Sequence, residues 1–104
     1  MANEPTKNVG TRLLFENERV RVWDLALAPG ESLATHVHND DYLFIVIEGG
    51  ALRHVDEEHP EKNRDVVFEK DQVVFLEAGH GLIHDKLVNT GSAPYRNLVI
   101  ELKQ

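Results

Sequence analysis

The chain has no cysteine among its 104 residues. That excludes disulfides, thiolate nucleophiles and thiolate metal sites. It is compatible with a reducing cytoplasm, the expected location. Long apolar runs are also missing. The longest, Leu43 to Ile47, has five residues, far short of the ~18 that a membrane helix needs. The first ten residues, MANEPTKNVG, are polar and carry no apolar stretch of the kind a signal peptide requires. Neither membrane nor secretion is expected.

Positive charge is scarce. Eleven Lys and Arg face eighteen Asp and Glu, for a formal net charge of −7, and no basic patch interrupts the chain. Nucleic acid is therefore not an expected partner, because phosphate binding depends on neutralising cations. The overall field also gives no help in attracting an anion, so an anionic substrate would need a local arginine. No amphipathic helix of useful length is present, apart from a possible single turn near residues 3–9. Linkers, repeats and low-complexity segments are missing too.

What remains is a β pattern. A chain of this length supports one core and one domain, residues 1–104, with residues 1–10 as a loose lead-in. Strands are expected at Leu13 to Phe15 and Arg19 to Leu27, around an Asn17-Glu18 turn. Pro29-Gly30 then forms a turn whose residues preset φ and accept a positive φ. Ser32 to His38 and Tyr42 to Glu48 follow, the latter closing in a hairpin at Gly49-Gly50. Ala51 to Val55 returns, and Asp56 to Arg64 is a charged loop. Val66 to Phe68 and Gln72 to Leu76 read as a second hairpin. Ile83 to Asn89 and Tyr95 to Leu102 complete about nine short strands, the pattern of an all-β sandwich or barrel.

The chemistry concentrates in THVHNDDYLFIVIEGG, residues 35–50. Side chains two apart on a strand share a face, so His36 and His38 present paired imidazoles. The same parity turns Tyr42, Phe44 and Val46 inward. Leu43, Ile45 and Ile47 make the opposite face apolar as well, so the strand is expected to be covered on both sides. A second copy of the chain is one such cover, and a homodimer is expected. His84 follows a glycine turn at the start of another strand. Neutral imidazoles suit zinc, copper, iron and nickel, and three of them leave positions open for water or substrate.

Gly30, five residues, His36-x-His38, three residues, Tyr42, six residues and Gly49 resemble the first motif of the cupin superfamily. Asp71 to Asn89, with Ala78-Gly79, His84 and Asn89-Thr90-Gly91, resembles the second. The DDY sequence, the later IHD and the ending EL-K are similar to small single-domain bacterial cupins, some named for β-alanine degradation. The resemblance implies an all-β double-stranded β-helix, the RmlC-like cupin jelly roll. It also implies one divalent transition metal ion (Fe, Zn, Ni or Mn) on His36, His38 and His84.

Two departures stand out. Tyr42 occupies the position of the family's usual carboxylate ligand, and His84 lies five residues after Gly79 rather than three. His80 is consequently an alternative third ligand. Tyr42 is a core aromatic, a hydrogen-bonding catalytic residue or a ligand. Asp40 shares its parity and is a candidate compensating carboxylate. Phe44, Val46, Phe75 and Trp23 are expected to wall the pocket, with His54, His59 and Glu48 facing solvent. The implied function is binding of, or action on, a small organic acid or carbonyl compound, as a three-histidine dioxygenase or an isomerase. The alternatives are a non-catalytic binding or sensor module, and a degenerate cupin without metal.

Overall fold

A computed structural model describes residues 7–79 and 81–103, which form eleven strands. These are β1 (Arg12–Glu16), β2 (Val20–Leu27), β3 (Ser32–Leu33), β4 (His36–His38), β5 (Asp41–Glu48), β6 (Gly50–Val55), β7 (Arg64–Phe68), β8 (Val73–Leu76), β9 (Leu82–His84), β10 (Lys86–Asn89) and β11 (Tyr95–Leu102). A single 3-10 turn, Pro60–Lys62, sits in the charged loop. The strands form a five-stranded sheet in the order β1-β2-β11-β5-β8, a four-stranded sheet β3-β10-β6-β7, and the pair β4-β9. Among the described residues no helix is long and apolar enough to cross a membrane.

Two expected strands are each broken in two. Ser32 to His38 divides into β3 and β4, and the 83–89 strand divides at Asp85 into β9 and β10. The pieces pair with each other: β3 with β10, and β4 with β9. Both chains therefore leave the four-stranded sheet at the same level and continue as a separate two-stranded ribbon. The histidines sit on that ribbon.

The two expected hairpins are not formed. The chain passes from β5 to β6 at Gly49-Gly50, but β5 pairs with β11 and β8 while β6 pairs with β10 and β7. Gly49 is where the chain changes sheets. A Cβ there would stand 2.4 Å from the Phe68 carbonyl oxygen, so close backbone approach, rather than a tight turn, calls for glycine. Likewise β7 and β8 belong to different sheets. The turn between them is held against β5, with the Asp71 amide donating to the Val46 carbonyl and the Val46 amide to the Gln72 carbonyl. Asp71 takes a positive φ of 69° there, a conformation that aspartate tolerates better than most residues.

Alternation along the long strands sets the two faces of the five-stranded sheet. Trp23, Leu25 and Leu27 of β2, Tyr42 and Val46 of β5, and Tyr95 and Val99 of β11 are buried inward. They form one core with Val9, Leu33, Leu52, Ala78 and Leu87. Val9 is fully buried, so the end of the expected loose lead-in is pinned into the core. Glu101, also inward and buried, accepts from Trp23 Nε1 at 2.7 Å and Arg21 Nη1 at 3.3 Å. Those donors satisfy a carboxylate that would otherwise be costly inside.

Candidate metal centre

The ribbon places the histidines by register. His36 on β4 lies directly opposite His84 on β9, and His38 lies opposite Leu82. Cross-strand neighbours on one face approach within side-chain contact, and the rings obey that rule. The His36 and His84 centroids are 4.9 Å apart, those of His36 and His38 4.9 Å, and those of His38 and His84 5.8 Å. Two imidazoles bound through nitrogen to one ion would have centroids about 4.5 to 5.3 Å apart, given metal–nitrogen distances near 2.0–2.1 Å. The three residues singled out from the sequence are thus neighbours: the His36–His38 and His36–His84 separations fall in that range, and the His38–His84 separation is wider.

Their surroundings favour the neutral form, which is the one that ligates. Burial is the main cause in each ring. It lowers the His36 pKa, lowers that of His38 to about 3 with help from the neighbouring His36 and His84, and lowers that of His84 to about 4 with help from His36 and His54. The His36 Nδ1–H donates to the Ala34 carbonyl at 3.0 Å. With that tautomer set, the other ring nitrogen keeps a lone pair for a cation. His38 Nδ1 and His84 Nδ1 are buried with no hydrogen-bond partner among the described residues. Orphaned buried acceptors call for an occupant, and in chemistry the donor set fits a divalent transition metal. Among the described residues no group of three His, Cys, Asp or Glu side chains is arranged, as it stands, to hold a metal ion. What the structure holds is three neighbouring rings, so ligation by all three requires them to turn towards a common point.

Tyr42 stands beside this set. Its ring stacks on His38 with centroids 3.8 Å apart and planes 7° from parallel. The side chain is buried, its hydroxyl lacks a partner among the described residues, and burial pushes its pKa up to about 12. That favours the neutral phenol as a hydrogen-bonding group over a phenolate ligand. Asp40 does not compensate for the missing carboxylate. It lines a separate polar depression with Val37, Asn39, Arg21 and Glu101, because residues 39 and 40 lie between β4 and β5, outside either strand. His80 lies outside the described residues.

His54 corrects an expectation. It is buried rather than solvent-facing, and its ring lies 5.1 Å from that of His84. The expected strand was correct, but sequence alone did not indicate which of its faces turned inward. Register does: His54 pairs with Leu87, another core residue. His59 is exposed in the charged loop and Glu48 is exposed at the end of β5, both as expected.

The rings open onto a cavity of about 270 Å³, slightly below the ~300–1,000 Å³ of pockets for drug-sized ligands. Its walls include Phe44, Val66, Phe68, Leu76 and Val99. Phe44 was expected there. Trp23 and Val46 are instead core residues outside the lining, and Phe75 is exposed on the outer face. Phe75 pairs with Leu43, so it shares Leu43's outward parity.

One consequence concerns stability. In the metal-free protein, His38 and His84 stay neutral far below the pH at which the unfolded chain protonates them, near 6.5. The unfolded chain then binds more protons between about pH 6.5 and pH 4, so stability is fully present above that window and falls as pH drops through it. Urea midpoints of metal-stripped protein at pH 7.5, 6 and 5 should decline in that order. A flat series would show that the rings are protonated in the folded state.

No family model and no curated protein matches the sequence. Solved structures do match. A cupin domain from Bordetella pertussis Tohama I superposes with a TM-score of 0.76 at 20% identity, covering 99% of this chain and 100% of that one. This chain has the cupin fold. An RmlC-like cupin family protein with a double-stranded β-helix fold from Methanocaldococcus jannaschii has a TM-score of 0.65 at 17% identity, covering 99% and 90% of the two chains. A polyketide cyclase from Streptomyces resistomycificus has a TM-score of 0.61 at 18% identity, covering 85% of this chain and 57% of that one. In this cupin fold the first motif's histidines meet His84 across the β4-β9 ribbon.

Proposed function

We propose that this cupin-fold chain binds one divalent transition metal ion on His36, His38 and His84, and uses the adjoining cavity for a small organic acid or carbonyl compound. The observation that carries this reading is the trio of neutral imidazoles, His36 and His38 buried and His84 half-buried, with centroids 4.9 to 5.8 Å apart on the cavity wall. When bound, such an ion supplies Lewis acidity or lowers the pKa of coordinated water, and it accommodates iron, zinc, nickel or manganese alike. The chain's own residues have separate tasks. The apolar walls exclude water from the ligand, and Tyr42, a neutral phenol lining the same cavity with a hydroxyl unpartnered among the described residues, donates a hydrogen bond to an oxygen of it. Oxygenation or isomerisation is the enzymatic form of the proposal. That a polyketide cyclase shares the fold is compatible with catalysis but does not name a reaction.

The test is elemental analysis of protein purified without a histidine tag, followed by a screen of small acids and carbonyl compounds in air with oxygen uptake recorded. About one metal ion per chain and turnover of a compound support the proposal. Saturable binding without turnover would favour the sensor reading. Folded protein that stays metal-free after incubation with all four ions would leave the degenerate reading.

A second copy of the chain is the partner we propose, through the outer face of the five-stranded sheet. Register aligns Phe15, Val22, Ile100, Leu43 and Phe75 in one row across all five strands, with Leu98, Ile45 and Val73 beside it. Phe15, Val73 and Phe75 are more than half exposed. A continuous apolar row is self-complementary about a two-fold axis. Light scattering at micromolar concentration should give a dimer mass for the wild type and a monomer for Phe75→Lys. A wild-type monomer would remove the proposal.

A further inference from the structure

We propose that Arg64 anchors a carboxylate group of the cavity's ligand, which makes the ligand class a small carboxylic acid with an apolar body. This rests on the reading of the cavity as a ligand site, but not on the metal. Arg64 begins β7, the edge strand of the four-stranded sheet, directly opposite His54. It lines the same cavity as the histidines. Its guanidinium is near enough to His54 and His84 to act on both electrostatically.

Three observations separate Arg64 from an ordinary surface arginine. Arg12, Arg21, Arg53 and Arg96 each have a carboxylate within 4 Å. Arg19 and Arg64 have none among the described residues, and of these two only Arg64 lines the cavity. Asp85, a carboxylate that also acts on His54, forms no ion pair with Arg64. Among the described residues the cavity lining contains no Asp or Glu, although the whole chain has eighteen against eleven Lys and Arg. The positive charge is therefore local to the rim of this cavity, where an acidic chain would otherwise repel an anion.

A planar guanidinium matches a carboxylate through two parallel hydrogen bonds. Held there, an acid would lay its apolar body against Val66 and Phe68, on the same strand, and direct its other end towards His84. A neutral amide of the same shape would keep the apolar contacts and lose the charge-assisted pair.

The experiment uses isobutyrate and isobutyramide as probes, with binding followed by calorimetry or by shifts of histidine NMR resonances. Wild type should bind isobutyrate roughly tenfold or more tightly than isobutyramide, the scale of a charged hydrogen-bonded pair. Arg64→Gln should abolish that preference. Arg53→Gln removes the same charge outside the cavity and should retain it. His36→Ala separates this inference from the metal reading, because an arginine anchor keeps the preference there whatever the metal does. Equal binding of the two probes by wild type, binding of neither, or a preference that survives in Arg64→Gln would each overturn the proposal. So would a preference lost in His36→Ala and kept in Arg64→Gln, since the carboxylate would then be held at the histidines.

Discussion

His36→Ala is expected to reduce bound metal from about one ion per chain to a level at least tenfold lower. His36 is the joint of the proposed site: its ring lies 4.9 Å from both His38 and His84, whereas those two stand 5.8 Å apart. It also has a fixed tautomer, through the hydrogen bond from Nδ1 to the Ala34 carbonyl. Removing it takes away one donor and the best oriented of the three. Loss of even an orienting partner outside the ligand set commonly weakens metal affinity by about 10- to 100-fold, and loss of a ligand should do no less. The matched control is His59→Ala, an exposed side chain in the charged loop, which should leave metal content unchanged. Elemental analysis reads the result, with circular dichroism verifying that both variants fold. Stoichiometric metal in folded His36→Ala would place the ion elsewhere.

The largest expected loss of stability comes from Asn89→Ala. Asn89 is buried at the end of β10, where the chain turns from the four-stranded sheet towards β11. Its side chain closes that turn with three hydrogen bonds at 2.9 Å. The amide group donates to the Leu27 and Ala93 carbonyls, and the carbonyl accepts from the Gly91 amide. Alanine would leave three backbone groups without that partner. Each lost bond is worth about 1 kcal/mol, and a buried group left unsatisfied raises the figure, so a loss of roughly 3 kcal/mol or more is expected. For a domain of this size that lowers the thermal midpoint by more than about 12 °C. Asn89→Asp retains the acceptor but not the two donations, and should fall between. A midpoint within about 3 °C of wild type for Asn89→Ala would show that the turn is held by its backbone bonds alone.

Much of the fold was legible in the residues. The even parity from His36 through Val46 identified the inward side of β5 correctly: Tyr42 and Val46 are buried and Phe44 lines the cavity. The shared face of His36 and His38 was also legible, because it follows from a two-residue period, whereas His84 was singled out through the resemblance and its place beside His36 comes from register. Connectivity was less so. Gly49-Gly50 has the composition of a hairpin turn, yet the requirement that matters at Gly49 is space beside the carbonyl of Phe68, a residue of β7 far along the chain.

The sequence by itself determined an all-β chain, its strand periods and the identity of the histidines, since these depend on local alternation and residue type. Only the tertiary structure decided which strands are neighbours. That decision placed His84 opposite His36, turned His54 from an expected surface residue into a cavity residue, and sent Phe75 outward. It also brought Arg64 to the rim of a cavity with no acid among its described lining residues. The physical reason is that period fixes which side chains share a face, while burial of that face depends on register with strands distant in the chain. Tyr42 shows both halves of that division. Its inward parity is visible in the sequence, but its stacking on His38 and its buried hydroxyl exist only once β4 and β5 are folded together.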